Sequence, residues 1–93
     1  MNRTIAVDVD GTLVVNGQTN ERLVSWLVDR KAKGNPIMLW SARGKEYAEA
    51  AARQSGTLNL FDQIASKPMV IIDDRGWSWI KHTKVISKMD QLA

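Results

Sequence analysis

Apolar positions in this chain come in short continuous runs, and polar residues follow each run. The first, residues 4–9, is interrupted only by Asp8. Such a run reads as a strand covered on both faces, the kind found in parallel sheets flanked by helices. Residues 37–40 and 69–72 are further runs of this type. Between the first two, the apolar spacing becomes helical. Leu23, Leu27 and Arg30 fall on one line with Val24 and Val28 beside it, which predicts a helix over about 21–33. Thr19 or Asn20 is placed to cap that helix, Gly34 to stop it, and Asn35-Pro36 to break the chain. An alanine-rich helix is predicted over about 45–54, with Tyr47, Ala48, Ala51 and Ala52 facing inward and Ser55-Gly56 ending it.

The remaining segments carry weaker signals. Asn16-Gly17 between short β-prone pieces predicts a tight hairpin, either a small flap or a plain connection. Residues 58–65 suggest a helical turn and then a short strand. The tail from Trp77 suggests a short turn or helix, a small strand near 84–86 and a terminal helical turn. Strand, helix, strand, helix, strand argues for one α/β domain over 1–93, built on a parallel sheet. In such sheets ligands bind at the carboxyl ends of the strands. Three polar clusters follow the three predicted strands: Asp8 with Asp10, Ser41 with Arg43, and Asp73 with Asp74.

Composition narrows the chemistry. With 93 residues, 44% hydrophobic and 25% charged, the chain has the make-up of an ordinary small globular domain. It has no cysteine and a single histidine, His82. A disulfide scaffold, a thiolate zinc site, a cysteine nucleophile and a multi-histidine metal site within one chain are excluded. No apolar run approaches the roughly 20 residues of a membrane span. The N-terminus leads into a strand with no signal-peptide pattern, so a cytoplasmic location is expected. Net charge is +3, and four of the ten acids are Asp8, Asp10, Asp73 and Asp74. Gathered around a metal, those four would leave 13 basic against six acidic side chains. That balance favours anionic ligands, or simply a slightly basic surface.

Asp8 and Asp10 carry the sharpest signal. Residues two apart in a strand share a face, so both carboxylates are expected at the end of the first strand. Two carboxylates that close repel unless a cation or a proton intervenes. Gly11 lets the chain turn sharply beyond them. A magnesium-dependent phosphate site explains the pair; an acidic capping turn is the plainer alternative. Phosphate-ester hydrolysis needs a carboxylate to attack phosphorus and a second to carry protons. It needs magnesium to shield the negative charges, and a hydroxyl and a cation for the remaining phosphate oxygens. The chain offers a candidate for each part.

Asp8-Val9-Asp10-Gly11-Thr12, then Ser41, Lys67 and Asp73-Asp74, resembles the four-motif series of the haloacid-dehalogenase-like (HAD) phosphohydrolases. The resemblance implies a small three-layer α/β sandwich around a parallel sheet. Only residues 13–19 are available as a cap, which is similar to the capless members, and an open site suits large substrates. It implies Asp8 as nucleophile and Asp10 as general acid and base. It implies Mg2+ held by Asp8, the Asp10 carbonyl and one of Asp73 or Asp74. Gly11 and Thr12 would shape the loop, and Ser41, with Ala42, Arg43 and Lys67 around it, would bind phosphate. Asp-Val-Asp-Gly-Thr-Leu, Ser-Ala-Arg and Ile-Asp-Asp-Arg are also similar to the 3′-phosphatase domain of phage-type polynucleotide kinases. The expected partner is therefore a phosphorylated small molecule or a nucleic-acid end.

Alternatives stay beside this reading. A receiver-like signalling domain also uses magnesium and an aspartyl-phosphate, but its acidic pair comes early with the acceptor on a later strand. A catalytically silent phosphate-binding or interaction protein would keep the same fold. Trp77 and Trp79 offer a stacking surface for a base or pack the tail, whereas Trp26 and Trp40 read as core. Arg75 is placed to pair with the acidic cluster or reach substrate, and His82 to sit exposed or as a cap. The phosphate-binding cation is Lys67 by motif order. If residues 69–72 form a strand, however, the six-residue step from Lys67 to Asp73 spans about 20 Å. Lys67 would then lie at the far end of the sheet, leaving Arg43 or Lys45 to supply the charge.

Overall fold

The computed structural model describes residues 3–92. Five strands and two α-helices follow in the order β1 (Ile5–Asp8), β2 (Val14–Val15), β3 (Gln18–Thr19), α1 (Glu21–Ala32), β4 (Ile37–Ser41), α2 (Lys45–Gln54) and β5 (Gln63–Ser66). β1, β4 and β5 form a parallel sheet with β4 in the middle. This is the α/β class the alternation of runs predicted. Single-turn and two-turn 3-10 segments occupy Leu58–Leu60, Gly76–His82 and Met89–Gln91.

Local chemistry accounts for these elements. Asn16 and Gly17 both have positive φ, 53° and 75°, the combination that a two-residue hairpin between right-twisted strands requires. The hairpin it makes is β2–β3. Asn20 caps α1, its Oδ1 accepting from the Leu23 N–H at 3.3 Å. α2 starts at Gly44, which has no side chain to cap it. The Ser66 hydroxyl, from the end of β5, accepts the Lys45 N–H at 3.0 Å instead. At the opposite end of the sheet Asp62 clasps β4. Its N–H donates to the Ile37 carbonyl and its Oδ2 accepts the Ile37 N–H, both at 2.8 Å.

The buried core joins Val7 and Val9 to Leu13, to Leu23 and Leu27 of α1, and to Ile37 and Leu39 of β4. Ala48 and Ala52 of α2 complete it, with Tyr47 and Ala51 half-buried at its margin. Trp26 and Trp40, expected in the core, are half-buried, and Val28 is exposed. Burial of each core leucine contributes roughly 1.5–3 kcal/mol.

One strand is not where the apolar pattern puts it. Residues 69–72 form no strand and lie exposed; the third sheet strand is β5, which follows the short helical turn expected after residue 58. The reason is connectivity. The Lys67 N–H donates to the Ser41 carbonyl at 2.9 Å, extending the β4–β5 ladder to its carboxyl end. Pro68 then has no N–H to continue it. A parallel neighbour needs a return crossover of a dozen or more residues, and only Lys67 and Pro68 separate β5 from Met69. The strand expected near 84–86 is also absent from the described residues, whose tail is made of 3-10 turns and extended chain.

Candidate functional site at the carboxyl end of the sheet

Asp8 ends β1 in register with Trp40 of β4, and Ser41 ends β4 in register with Ser66 of β5. The parallel sheet therefore delivers Asp8, Asp10, Ser41, Arg43 and Lys67 to one edge. Gly11, with φ of 75°, turns the chain directly after Asp10. Its N–H donates to the Val14 carbonyl at 2.8 Å, so the hairpin is anchored against the acidic loop. The Asn20 side chain donates to the Thr12 carbonyl at 3.0 Å and ties that loop to the start of α1.

Asp10 has two side-chain partners. Tyr47 donates its phenolic O–H to Asp10 Oδ1 at 2.6 Å, and Arg43 Nη1 lies 3.8 Å from Asp10 Oδ2. Arg43 also donates to the Tyr47 hydroxyl at 3.1 Å and stacks 4.0 Å from the ring centre. Tyr47 is the residue that sequence reasoning missed, having been assigned to packing. Its position one turn after Arg43, on a helix that starts at the same strand end, was the available signal. The hydrogen bond to the Asp10 carboxylate, followed by partial desolvation, raises the Tyr47 pKa above its ordinary 10.0, because losing the phenolic proton would lose that bond.

Ser41 is 2% exposed, and its hydroxyl accepts the Arg43 N–H at 3.0 Å, closing the turn after β4. Its own proton remains the one it can offer. Ala42 is exposed in that turn. Lys67 sits beside Ser41 through the backbone bond described above, with Nζ 5.9 Å from the Trp40 ring centre. Lys67 is therefore not at the far end of the sheet, because the strand preceding it, not residues 69–72, is the one in the sheet. Lys45 begins α2 nearby, its N–H taken by Ser66.

Asp73 and Asp74 are not brought to this edge as strand-end residues. Both are exposed, and Asp73 Oδ1 accepts the Arg75 N–H at 2.8 Å in a local turn. Among the described residues no group of three or more His, Cys, Asp or Glu side chains is assembled. Asp8 and Asp10 alone remain as a donor set for magnesium. That fits, since magnesium is commonly held by one or two carboxylates together with water and substrate phosphate. Trp77, largely exposed, and Trp79 line a cavity of about 240 Å³ with Pro68, Met69 and Asp73, apart from the Asp8 edge. His82 is exposed.

No helix among the described residues is long and apolar enough to cross a membrane. Compared with known proteins, the chain matches no family model, no curated protein and no solved structure.

Proposed function

We propose that this chain is a magnesium-dependent phosphate-monoester hydrolase of the capless HAD-like kind, acting through a phosphoryl group carried on Asp8. The observation that carries the reading is the Asp8 and Asp10 pair at the carboxyl end of β1, with Ser41 and Lys67 at the adjoining strand ends. An Asp8 oxygen attacks phosphorus as the bond to the ester oxygen breaks, and protonated Asp10 gives its proton to the leaving oxygen. Water then attacks the acyl-phosphate, Asp10 takes a proton from it, and inorganic phosphate leaves with Asp8 restored. Tyr47 and Arg43 orient Asp10 for both transfers. The Ser41 hydroxyl and Lys67 hold phosphate oxygens, with Lys67 as the cation. Asp8 and Asp10 would hold magnesium, which would supply charge shielding between the attacking carboxylate and the phosphate.

Among the described residues the cover near this edge is the short β2–β3 hairpin, and a large substrate such as a polynucleotide 3′-phosphate fits this reading as readily as a nucleotide. A cytoplasmic location accompanies this reading. The wide placement of Asp73 and Asp74 favours one alternative, a silent phosphate-binding protein. Assays of mononucleotides, sugar phosphates and 3′-phosphorylated oligonucleotides with magnesium separate the two. Turnover is expected in the parent and none in Asp8→Asn, with the fold retained. A folded Asp8→Asn protein with substantial activity refutes the Asp8 mechanism, and an inactive parent that binds phosphate establishes the alternative.

A further inference from the structure

The turns after β5 build a small cavity of their own. The Asp73 carbonyl accepts the Gly76 N–H at 3.1 Å, and its Oδ1 accepts the Arg75 N–H at 2.8 Å. The Arg75 carbonyl then accepts the Ser78 N–H at 3.1 Å and the Ser78 hydroxyl at 2.7 Å. These bonds turn the chain into the 3-10 segment Gly76–His82. Trp77 and Trp79, on that segment, come to face the same cavity of about 240 Å³ as Pro68, Met69 and Ile71. Asp73 supplies the one charged side chain of the wall. Among the described residues no Lys, Arg or His is ion-paired with it. Arg75, its neighbour, gives it only a backbone N–H, and Asp73 Oδ2 is left for a ligand.

This wall selects a ligand by charge and by hydrogen bonding. An unpaired carboxylate beside apolar surface attracts a cation and repels phosphates and carboxylates. Indole is the aromatic ring that attracts a cation most strongly. The kind of cation follows from its donors. A primary ammonium carries three N–H groups, and the side chains of the wall offer one free oxygen. Donors left facing apolar surface cost free energy. A quaternary ammonium has no donor to satisfy and presents methyl groups to the indoles. The cavity is smaller than the roughly 300 Å³ at which sites for drug-sized molecules begin, which suits one head group.

We propose that this cavity binds a trimethylammonium group, with Trp77 and Trp79 against its methyls and Asp73 balancing its charge. The site is separate from the Asp8 edge and does not rest on the hydrolase reading. The group has two sources, a free choline-like molecule or the head group of a phosphatidylcholine surface.

Choline is the probe, and the four indole N–H resonances of the full chain are the readout. Trp77→Phe and Trp79→Phe assign two of them. Millimolar choline should shift the Trp77 and Trp79 resonances and leave those of Trp26 and Trp40 in place. The neutral isostere of choline, with a tert-butyl group in place of trimethylammonium, should bind at least about tenfold more weakly. Asp73→Asn keeps an acceptor for the Arg75 N–H and should weaken choline about fivefold. Asp74→Asn removes the same charge outside the wall and should cost less than about twofold. Trp77→Ala should weaken binding about tenfold with an unchanged circular dichroism spectrum, since Trp77 is 76% exposed. Sedimentation with phosphatidylcholine vesicles, reversed by choline, assigns the lipid source; choline binding without sedimentation assigns the free one. No shift with choline, equal binding of the isostere, or equal losses from Asp73→Asn and Asp74→Asn overturns the proposal. The readout needs no turnover, so the site stands or falls apart from the hydrolase reading.

Discussion

Replacing Asn20 tests how the acidic loop is held to the rest of the fold. Its side chain does two separable jobs: Oδ1 accepts the Leu23 N–H, and Nδ2 donates to the Thr12 carbonyl. A weaker contact runs from Nδ2 to the Met89 sulfur at 3.3 Å. Losing an N-cap costs about 1 kcal/mol. Losing a half-buried neutral hydrogen bond costs about 1 kcal/mol more. Asn20→Ala should therefore lose about 2 kcal/mol, a substantial part of the roughly 5–15 kcal/mol that stabilises a domain of this size. For a chain of this length that is a fall in Tm of about 8–16 °C. Asn20→Asp keeps the acceptor for Leu23 and gains a favourable charge at the helix start, but it cannot donate to Thr12. It should lose about 1 kcal/mol, or 4–8 °C. Thermal unfolding followed by circular dichroism measures both. If the chain hydrolyses phosphate esters as proposed, both variants should also turn over more slowly at temperatures where they remain folded, because Thr12 is two residues from Asp10. An Asn20→Asp protein as stable and as active as the parent would show that the Thr12 bond holds nothing, and the reasoning would fail there.

Three further outcomes are expected. Tyr47 is the only tyrosine, so tyrosinate absorbance reports it alone; it should titrate above its ordinary value in the parent, and Asp10→Asn should bring it down, whereas an unchanged curve would deny the Tyr47–Asp10 bond. The Asp62 carboxyl is held below its ordinary 3.8, chiefly by the Ile37 N–H and then by Lys31 at 3.4 Å, so the stability it contributes is present above that value and lost as pH falls through the depressed one. Acid unfolding of Asp62→Asn should start from lower stability and fall less steeply below pH 3.8, and parallel curves for the two proteins would contradict this. If Lys67 is the phosphate cation, Lys67→Ala should lower turnover about a hundredfold and Arg43→Ala less than about tenfold; the reverse ranking transfers the role to Arg43.

Most of the architecture was legible because it depends on local signals. The Asn20 cap, the Asn16-Gly17 turn and the small-residue face of α2 are each decided within a few residues and appear as read; of the α1 stripe Leu23 and Leu27 are buried, whereas Val28 is exposed. Strand alternation was expected to put Asp8 and Asp10 on one face, but β1 ends at Asp8 and Asp10 lies in the turn beyond it, where its carboxylate meets Tyr47 and Arg43. What was not legible depends on partners distant in sequence. Residues 69–72 are more apolar than Gln63–Ser66, yet the latter form the strand, because α2 and the turn at Leu58–Leu60 return the chain beside β4 at that point. Hydrophobicity marks which segment wants to be covered, not whether the connection before it permits pairing. Tyr47 was missed on similar grounds. Its position on the helix is local, but its partner Asp10 lies 37 residues earlier.

That single displacement of the third strand acts on two site residues in opposite ways. Taken as a strand, residues 69–72 put Asp73 and Asp74 beside Asp8 and push Lys67 to the wrong end of the sheet. With Gln63–Ser66 as the strand, Lys67 arrives next to Ser41, and Asp73 and Asp74 are left on an exposed turn. In this chain the cation reaches the edge at the end of β5, and residues 73 and 74 do not arrive there as strand-end residues, because no crossover lies between Lys67 and Asp73. A magnesium ion at this edge would therefore rely on Asp8 and Asp10, with substrate oxygens and water filling the rest of its shell.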